Sequence, residues 1–453
     1  MSQAIKKPII FLPIESTPRE LDYKLNIARL MCNKGFDAII GNPPFIRDEL
    51  KYKNYKGLFL EKGMNPDPAY YKKIINKEFI VYCLSDEGAA EPAFSVTYKP
   101  AVDTLKQTET IFLWGEYQKK DLEKRNPDPL LSSKYLVSGY PGFEFSFPKY
   151  AQYNSFFRPK SLGSGYILVN TNFASLNGYS LEETLEACSA MSPETKASIE
   201  MSYQRETKSF KQFLEWLEEI FVMFPKENFV IRPHPAERQD AYDLLTAKYS
   251  NVRVSSQGNA NQAISGAKLV LHNDCTTALQ SYLANIPVIS LAGCDCDNLT
   301  SSWAVDFGAT PESIEAAKTL IRQILKNGYF DDGLSKTIDE KANLVLSQRF
   351  CYIDSSTKNI IEHITDGTQK IFDGMKTYQI KDSRTLLQKI KLFIRRYLPL
   401  HYKIPVASRH MLAKFTKRDL LERLNFMNYL DDVSHDYMIK EIFPNTFYIR
   451  RYS

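Results

Sequence analysis

Two successive α/β units, each a parallel sheet wound with helices on both faces, are what this sequence predicts, and three observations carry that prediction. The chain has 453 residues, 43% of them hydrophobic, more than one core usually organises. Short apolar runs alternate with amphipathic stretches in both halves, the pattern of strand-helix-strand units and hence of parallel sheets. A stretch rich in Ser, Pro, Tyr and Gly from Phe145 to Gly165 separates the halves and reads as a linker.

Taken in order, the first strand is expected over Pro8 to Pro13. A helix follows from about Pro18, its apolar face made by Leu21, Leu25, Ala28 and Leu30 and its end marked by Gly35. A second strand covers Asp37 to Ile40, broken by Gly41-Asn-Pro-Pro. Further strands are expected at Phe79–Leu84, Thr110–Trp114 and Lys134–Ser138. The second half repeats the pattern with strands at Tyr166–Asn170, Asn228–Ile231, Val252–Val254, Leu269–Leu271 and Val288–Leu291. Helices are expected between them around Phe213–Ile220, at Thr276–Asn285 and at Pro311–Asn327. The resulting domains are residues 1–160, residues 161–365 and a basic helical extension over residues 366–453. The first half carries no glycine-rich dinucleotide fingerprint, so two Rossmann-like doubly wound domains of similar size fit the GT-B arrangement better than a dehydrogenase.

Composition excludes several classes. A quarter of the residues are charged and mean hydropathy is -0.34, so the chain does not read as membrane-spanning. The apolar run Ile9–Leu12 is too short for a signal-peptide core or a bilayer span. Seven scattered cysteines read as reduced thiols. A cytoplasmic protein is expected, peripheral at most on the inner face of the inner membrane. The net charge of +5 is modest, but cations concentrate between Arg384 and Arg423. No nucleic-acid recognition motif accompanies them.

The motifs that carry chemistry lie at strand ends, where open α/β sheets bind ligands. Ile231-Arg-Pro-His-Pro-Ala-Glu237 follows a strand directly. Flanking prolines stiffen the loop around His234, and Arg232 offers a fork for phosphate or carboxylate. A rigid turn with an exposed His and Arg is the plainer reading. Leu269-Val-Leu-His-Asn-Asp-Cys-Thr-Thr277 is a strand and a polar turn leading into a helix. Thr276 and Thr277 fall where free N–H groups and the helix dipole favour phosphate. Simple capping explains the threonines but not His272. Of six histidines, two sit in these loops, which argues for one nucleotide site. In the first half, Asp86-Glu87-Gly88, Glu116 and Glu144 each follow a strand and suggest an acidic wall with a nucleophile or base. Asp295-Cys-Asp297 has the form of a metal motif but reads as a loop, so no metal and no cofactor beyond a sugar donor is expected.

With these motifs in place, the chain resembles the bacterial surface-carbohydrate-biosynthesis protein family, related to the capsule and lipopolysaccharide Kdo transferases. The resemblance runs from Ile10 to about Ile361. It is carried by Arg19-Glu-Leu-Asp22, Lys34-Gly-Phe36, Ser85-Asp-Glu-Gly88, Trp114-Gly-Glu-Tyr-Gln118, Val169-Asn-Thr-Asn-Phe173, Arg232-Pro-His-Pro235 and His272-Asn-Asp-Cys-Thr-Thr277. It implies a GT-B glycosyltransferase that transfers Kdo or a related ulosonic acid from a CMP-linked donor with retention. Arg232, His234, His272, Asn273, Thr276, Thr277 and Asn172 would hold the donor. Glu87, ahead of Asp86, Glu116 and Glu144, would act on the sugar, and the acceptor would be a lipid-linked or lipopolysaccharide glycan. A CDP-polyol phosphotransferase, a nucleotide-sugar 2-epimerase and a non-catalytic export subunit are the competing readings.

In the tail, Leu386, Leu387, Ile390, Phe393 and Ile394 recur at helical spacing among Lys389, Lys391, Arg395 and Arg396. That pattern serves a helix lying on an anionic membrane and a helix packed on the first domain equally well.

Overall fold

A computed structural model describes residues 4–5, 7–62, 79–84, 106–178, 180–187, 193–292, 302–372, 378–397 and 414–452. The chain forms two compact units: residues 1–145 with 346–453, and residues 146–345.

The second unit is a five-stranded parallel sheet in the order Val252–Val254, Phe229–Arg232, Tyr166–Asn170, Ala267–His272, Val288–Ser290. Its first strand is central. The chain moves outward on one side of it, then returns to build the other side, so the strand order reverses between Tyr166–Asn170 and Ala267–His272. Both faces are covered, which is why the central strand and the inner parts of its neighbours are apolar runs. Ile167, Val169, Phe229, Ile231, Leu269 and Leu271 pack against Phe213, Trp216, Leu217 and Ile220 of the Pro193–Met223 helix. Leu168, Val230 and Val270 face Ala263 and Ile264. Each fully buried large apolar side chain contributes about 1.5–3 kcal/mol.

The first unit holds an eight-stranded sheet. Its order is Tyr437–Phe443, Thr446–Arg451, Asp37–Gly41, Ile9–Pro13, Gly57–Lys62, Phe79–Leu84, Thr110–Leu113, Tyr135–Val137. The last six are mutually parallel, and here too the order reverses beside the first strand, between Ile9–Pro13 and Gly57–Lys62. The Gly57–Lys62 strand is absent from the sequence-based expectation. Gly57, at φ 155°, starts it where any Cβ would lie 1.9 Å from the Ile9 carbonyl oxygen.

Three expectations are corrected. The stretch from Phe145 to Gly165 is not a linker: it holds the Ala151–Phe157 helix and short helical turns at Pro148–Tyr150 and Lys160–Leu162, with Tyr153 and Leu162 buried. The division between units falls after residue 145 rather than 160. Residues 366–453 are not a separate helical extension. They belong to the first unit and end in an antiparallel hairpin that pairs with Asp37–Gly41. Gly41, at φ 152°, accommodates the hairpin turn, since a Cβ there would meet the Asn445 carbonyl oxygen at 2.4 Å. The Lys417–Leu430 helix packs on Thr17–Asn33, where Arg423 pairs with Asp22 and Arg29 with Asp431.

Asp37 ties this closure together, since its fully buried carboxylate pairs with Arg450 at 2.7 Å and accepts from the Tyr448 hydroxyl. Asp37→Ala leaves a guanidinium without its counter-charge, and urea unfolding is expected to show a loss of about 3 kcal/mol. A loss below about 1 kcal/mol would mean that the hairpin is held by its strand pairing alone.

Candidate functional site

The carboxyl edge of the second unit's sheet is built around Glu237. This carboxylate is buried, with 8% exposure. Its Oε1 accepts from Thr171 Oγ1 at 2.8 Å, Phe173 N at 3.0 Å and His234 N at 3.1 Å. Its Oε2 accepts from Tyr242 Oη at 2.6 Å and Asn177 Nδ2 at 3.2 Å. One side chain thereby fixes the loop leaving Tyr166–Asn170 against the loop leaving Phe229–Arg232. His234 sits half-buried in that clamp, its Nδ1 accepting from Ala236 N at 3.2 Å.

Across the point where strand order reverses, the two loops interlock. Asn172 N donates to Asn273 Oδ1 at 2.9 Å, and Asn172 Nδ2 donates to the Asp274 carbonyl at 2.7 Å. Asn170 Nδ2 donates to Thr277 Oγ1 at 2.8 Å. His272 is fully buried, and burial alone lowers its pKa to about 3, so the ring is neutral at physiological pH. Cys275 N donates to its Nδ1 at 3.3 Å, which places the ring proton on Nε2. That Nε2, and Asn170 Oδ1 on the adjacent strand, have no hydrogen-bond partner among the described residues. A buried polar atom left in this state costs about 1–3 kcal/mol. Beneath the edge lie one buried donor and one buried acceptor on neighbouring strands, since Asn170 and His272 are register neighbours.

The structure thus brings together Asn172, Asn273, His272 and Thr277, and links His234 to them through Glu237. Arg232 is used differently, with Nη1 donating to the Gln257 carbonyl at 2.9 Å and Nη2 to the Gly258 carbonyl at 2.8 Å. Desolvation lowers its pKa, and the fork expected to grip phosphate orders the neighbouring loop. The Thr277 hydroxyl accepts from Asn170 and donates to Cys275 Sγ at 3.1 Å. Thr276 is exposed at the N-cap, without a side-chain capping bond.

Among the described residues, the expected acidic wall is not assembled. Asp86 and Glu87 lie outside the described residues. Glu116 is exposed in the first turn of the Glu116–Arg125 helix. Glu144 is buried and caps the Ser356–Phe372 helix, accepting from Ser356 Oγ at 2.8 Å, Thr357 Oγ1 at 2.7 Å and Thr357 N. The Trp114 and Tyr140 rings of the two loops do stack, at 4.3 Å, but Glu144 turns inward because the first turn of that helix offers it free donors.

Sequence reasoning missed a different acidic group, at the reversal point of the first unit. Glu20 is buried and accepts from the backbone N of Glu15 at 3.2 Å and of Ser16 at 3.0 Å, in the loop leaving Ile9–Pro13. Lys24 reaches it at 2.7 Å and Lys62 at 3.1 Å. Burial raises its pKa, but the two ammoniums outweigh burial and hold it at about 2. Glu61, one residue before Lys62, accepts from the Lys62 backbone N at 3.1 Å, but no ammonium pairs with it among the described residues. It is 2% exposed, Arg47 comes no closer than 3.9 Å, and Oε2 has no hydrogen-bond partner among the described residues. Burial pushes its pKa up to about 7, which poises it between acid and base. An apolar run ending in Glu-Lys was the available signal.

No protein-family model matches the chain, and no curated protein sequence matches it. Among solved structures, a proposed UDP-N-acetylglucosamine 2-epimerase from Listeria monocytogenes is similar over 81% of this chain and 97% of that one, with 10% identity and a TM-score of 0.51. The UDP-GlcNAc 2-epimerase from Neisseria meningitidis has 14% identity, 80% and 100% coverage and a TM-score of 0.46. The wall teichoic acid polymerase TagF has 11% identity, 81% and 90% coverage and a TM-score of 0.46. The Listeria likeness establishes the fold: this is an α/β chain of the GT-B type.

Two outcomes follow from this geometry. Glu237→Ala strips five donors of their acceptor, and chemical denaturation is expected to show a loss on the order of 3 kcal/mol; an unchanged midpoint contradicts the clamp. For Glu61 the folded pKa lies above the usual carboxyl value of 4.5. Stability tied to its proton is therefore intact below about pH 4.5 and lost as pH rises through about 7. The stability of Glu61→Gln relative to wild type should rise across that window by on the order of 3 kcal/mol. A pH-independent difference would show that Glu61 ionises normally.

Proposed function

We propose that this chain is a glycosyltransferase that moves Kdo or a related ulosonic acid from a CMP-linked donor, with retention, onto a surface polysaccharide or lipopolysaccharide acceptor. The observation that carries a nucleotide-sugar role is the pair of unsatisfied buried atoms, His272 Nε2 and Asn170 Oδ1, at the strand-order reversal of the second sheet. Open α/β sheets bind ligands at such points, and these two atoms supply a donor and an acceptor for one. The neutral His272 ring gives a hydrogen bond without a charge, and its low pKa keeps that role constant across physiological pH. His234, held by Glu237 and Ala236, adds a second imidazole on the adjacent loop. The CMP donor and the ulosonate rest on the motif resemblance, whose His272–Thr277 and Arg232–Pro235 segments both fall on this edge.

The carboxyl available for acid–base work is Glu61, whose pKa burial raises and whose Oε2 has no partner among the described residues. Glu87 remains the other carboxyl assigned to the sugar on the strength of the resemblance.

Thermal unfolding with CMP, CDP and UDP decides the nucleotide. A ligand at a hundred times its Kd adds about 2.7 kcal/mol to the folded state. CMP is expected to raise the Tm most, and His234→Ala, which leaves the Glu237 clamp on the backbone intact, to reduce that rise by more than half. A rise with UDP alone, together with interconversion of UDP-GlcNAc, would replace the transferase by an epimerase. A rise with CDP alone would point to polyol-phosphate transfer.

A further inference from the structure

Among the described residues, no helix is long and apolar enough to cross a membrane, but one is built the wrong way round for a helix packed on a protein. Leu386–Tyr397 places Leu386, Leu387, Ile390, Phe393 and Ile394 within an arc of about 120°, at 3.6 residues per turn. A surface helix normally turns such a stripe to the core. Here those five side chains are 74%, 71%, 46%, 63% and 37% exposed. The opposite side meets the protein: Gln388 and Leu392 are half-buried, and Gln388 Nε2 donates to Tyr52 Oη at 3.2 Å.

This orientation is anchored rather than incidental. Immediately before the helix, the Arg384 side chain, 1% exposed, pairs with Glu49 at 2.9 Å and with Asp48 and Asp382 at 3.0 Å. Ser383 N donates to the Tyr52 carbonyl at 2.8 Å. The segment is thereby fastened to the Pro43–Tyr52 helix with its apolar stripe outward.

The charge pattern identifies what covers the stripe. The helix sequence, Leu-Leu-Gln-Lys-Ile-Lys-Leu-Phe-Ile-Arg-Arg-Tyr, contains four cations and no acid. By helical spacing, Lys389 and Lys391 fall on opposite borders of the apolar arc, and both are exposed. A self-associating helix needs acids to answer these cations, and this one has none. An anionic bilayer answers both features at once, with acyl chains for the stripe and headgroup phosphates for its borders.

We propose that Leu386–Tyr397 lies in the plane of an anionic phospholipid surface, with its five apolar side chains in the acyl boundary and Lys389 and Lys391 at the lipid phosphates. This goes beyond the catalytic reading and does not depend on it, although it suits a lipid-linked acceptor.

The test is flotation of the full-length protein with phosphatidylcholine vesicles, and with the same vesicles containing phosphatidylglycerol. Wild type is expected to float only with the anionic vesicles, and to be released when salt is raised from about 0.05 M to about 0.5 M. Lys389→Gln with Lys391→Gln should lower partitioning about thirtyfold. Leu387→Ser with Phe393→Ser should abolish it. Both double variants should keep the wild-type Tm, because the changed side chains are exposed. Absence of flotation in wild type, or equal flotation of the variants, overturns the proposal. So does a wild-type dimer that Leu387→Ser with Phe393→Ser converts to monomer without any vesicle binding, since a second copy would then be the occupant. If no nucleotide stabilises the protein, the glycosyltransferase reading fails while flotation still decides this one.

Discussion

In each unit the loop leaving the first strand is gripped by a buried glutamate, and the geometry of both sheet edges depends on that grip. Glu20 takes the N–H groups of Glu15 and Ser16; Glu237 takes those of Phe173 and His234, with the Thr171 hydroxyl. A loop at the end of a buried parallel strand carries backbone donors that water no longer reaches, and a carboxylate with two oxygens satisfies several of them at once. The two grips differ in how their charge is tolerated. Glu20 is answered by Lys24 and Lys62. Glu237 is answered by five neutral donors, so the second edge is held rigid without fixing cations there.

That difference decides which groups are left for chemistry. Lys62 is drawn to Glu15 and Glu20, so the adjacent Glu61 loses the cation its sequence neighbour would supply and stays poorly compensated. Its pKa is raised by burial, and no ammonium among the described residues pairs with it to offset that. In the second unit no charge is committed to the edge by Glu237, and His272 keeps a neutral ring because burial alone sets its pKa. Burial without an offsetting charge thus acts on both sheets, raising the pKa of a carboxyl on one and keeping an imidazole neutral on the other.

The sequence made the two sheets legible because a buried parallel strand is written as a continuous apolar run, and Phe79–Leu84 and Tyr166–Asn170 fall where those runs place them. Gly57–Lys62 escaped notice because Leu58-Phe59-Leu60 is short and ends in Glu-Lys, which looks like surface. The closing hairpin escaped because its partner, Asp37–Gly41, lies near the other end of the chain, and strand pairing at that range leaves no local signature. The polar loops around His234 and His272 were legible as a group. The partners of single residues were not: Arg232, Thr277 and Glu144 all carry chemistry suited to a ligand, and each is used by a neighbouring backbone or side chain that only the fold supplies. Residue type proposes what a side chain is able to do, whereas the nearest unsatisfied group decides what it does.

By that measure the informative atoms are those the fold leaves without an answer. Glu20 and Glu237 are each satisfied several times over, so a deficit at the same sheet edges is not a matter of loose packing. At the two strand-order reversals the deficits include His272 Nε2, Asn170 Oδ1 and Glu61 Oε2. Each costs about 1–3 kcal/mol when buried alone, a large share of the roughly 5–15 kcal/mol that separates folded from unfolded chains. On the proposed reading, a ligand taken where open α/β sheets bind theirs would offset that cost.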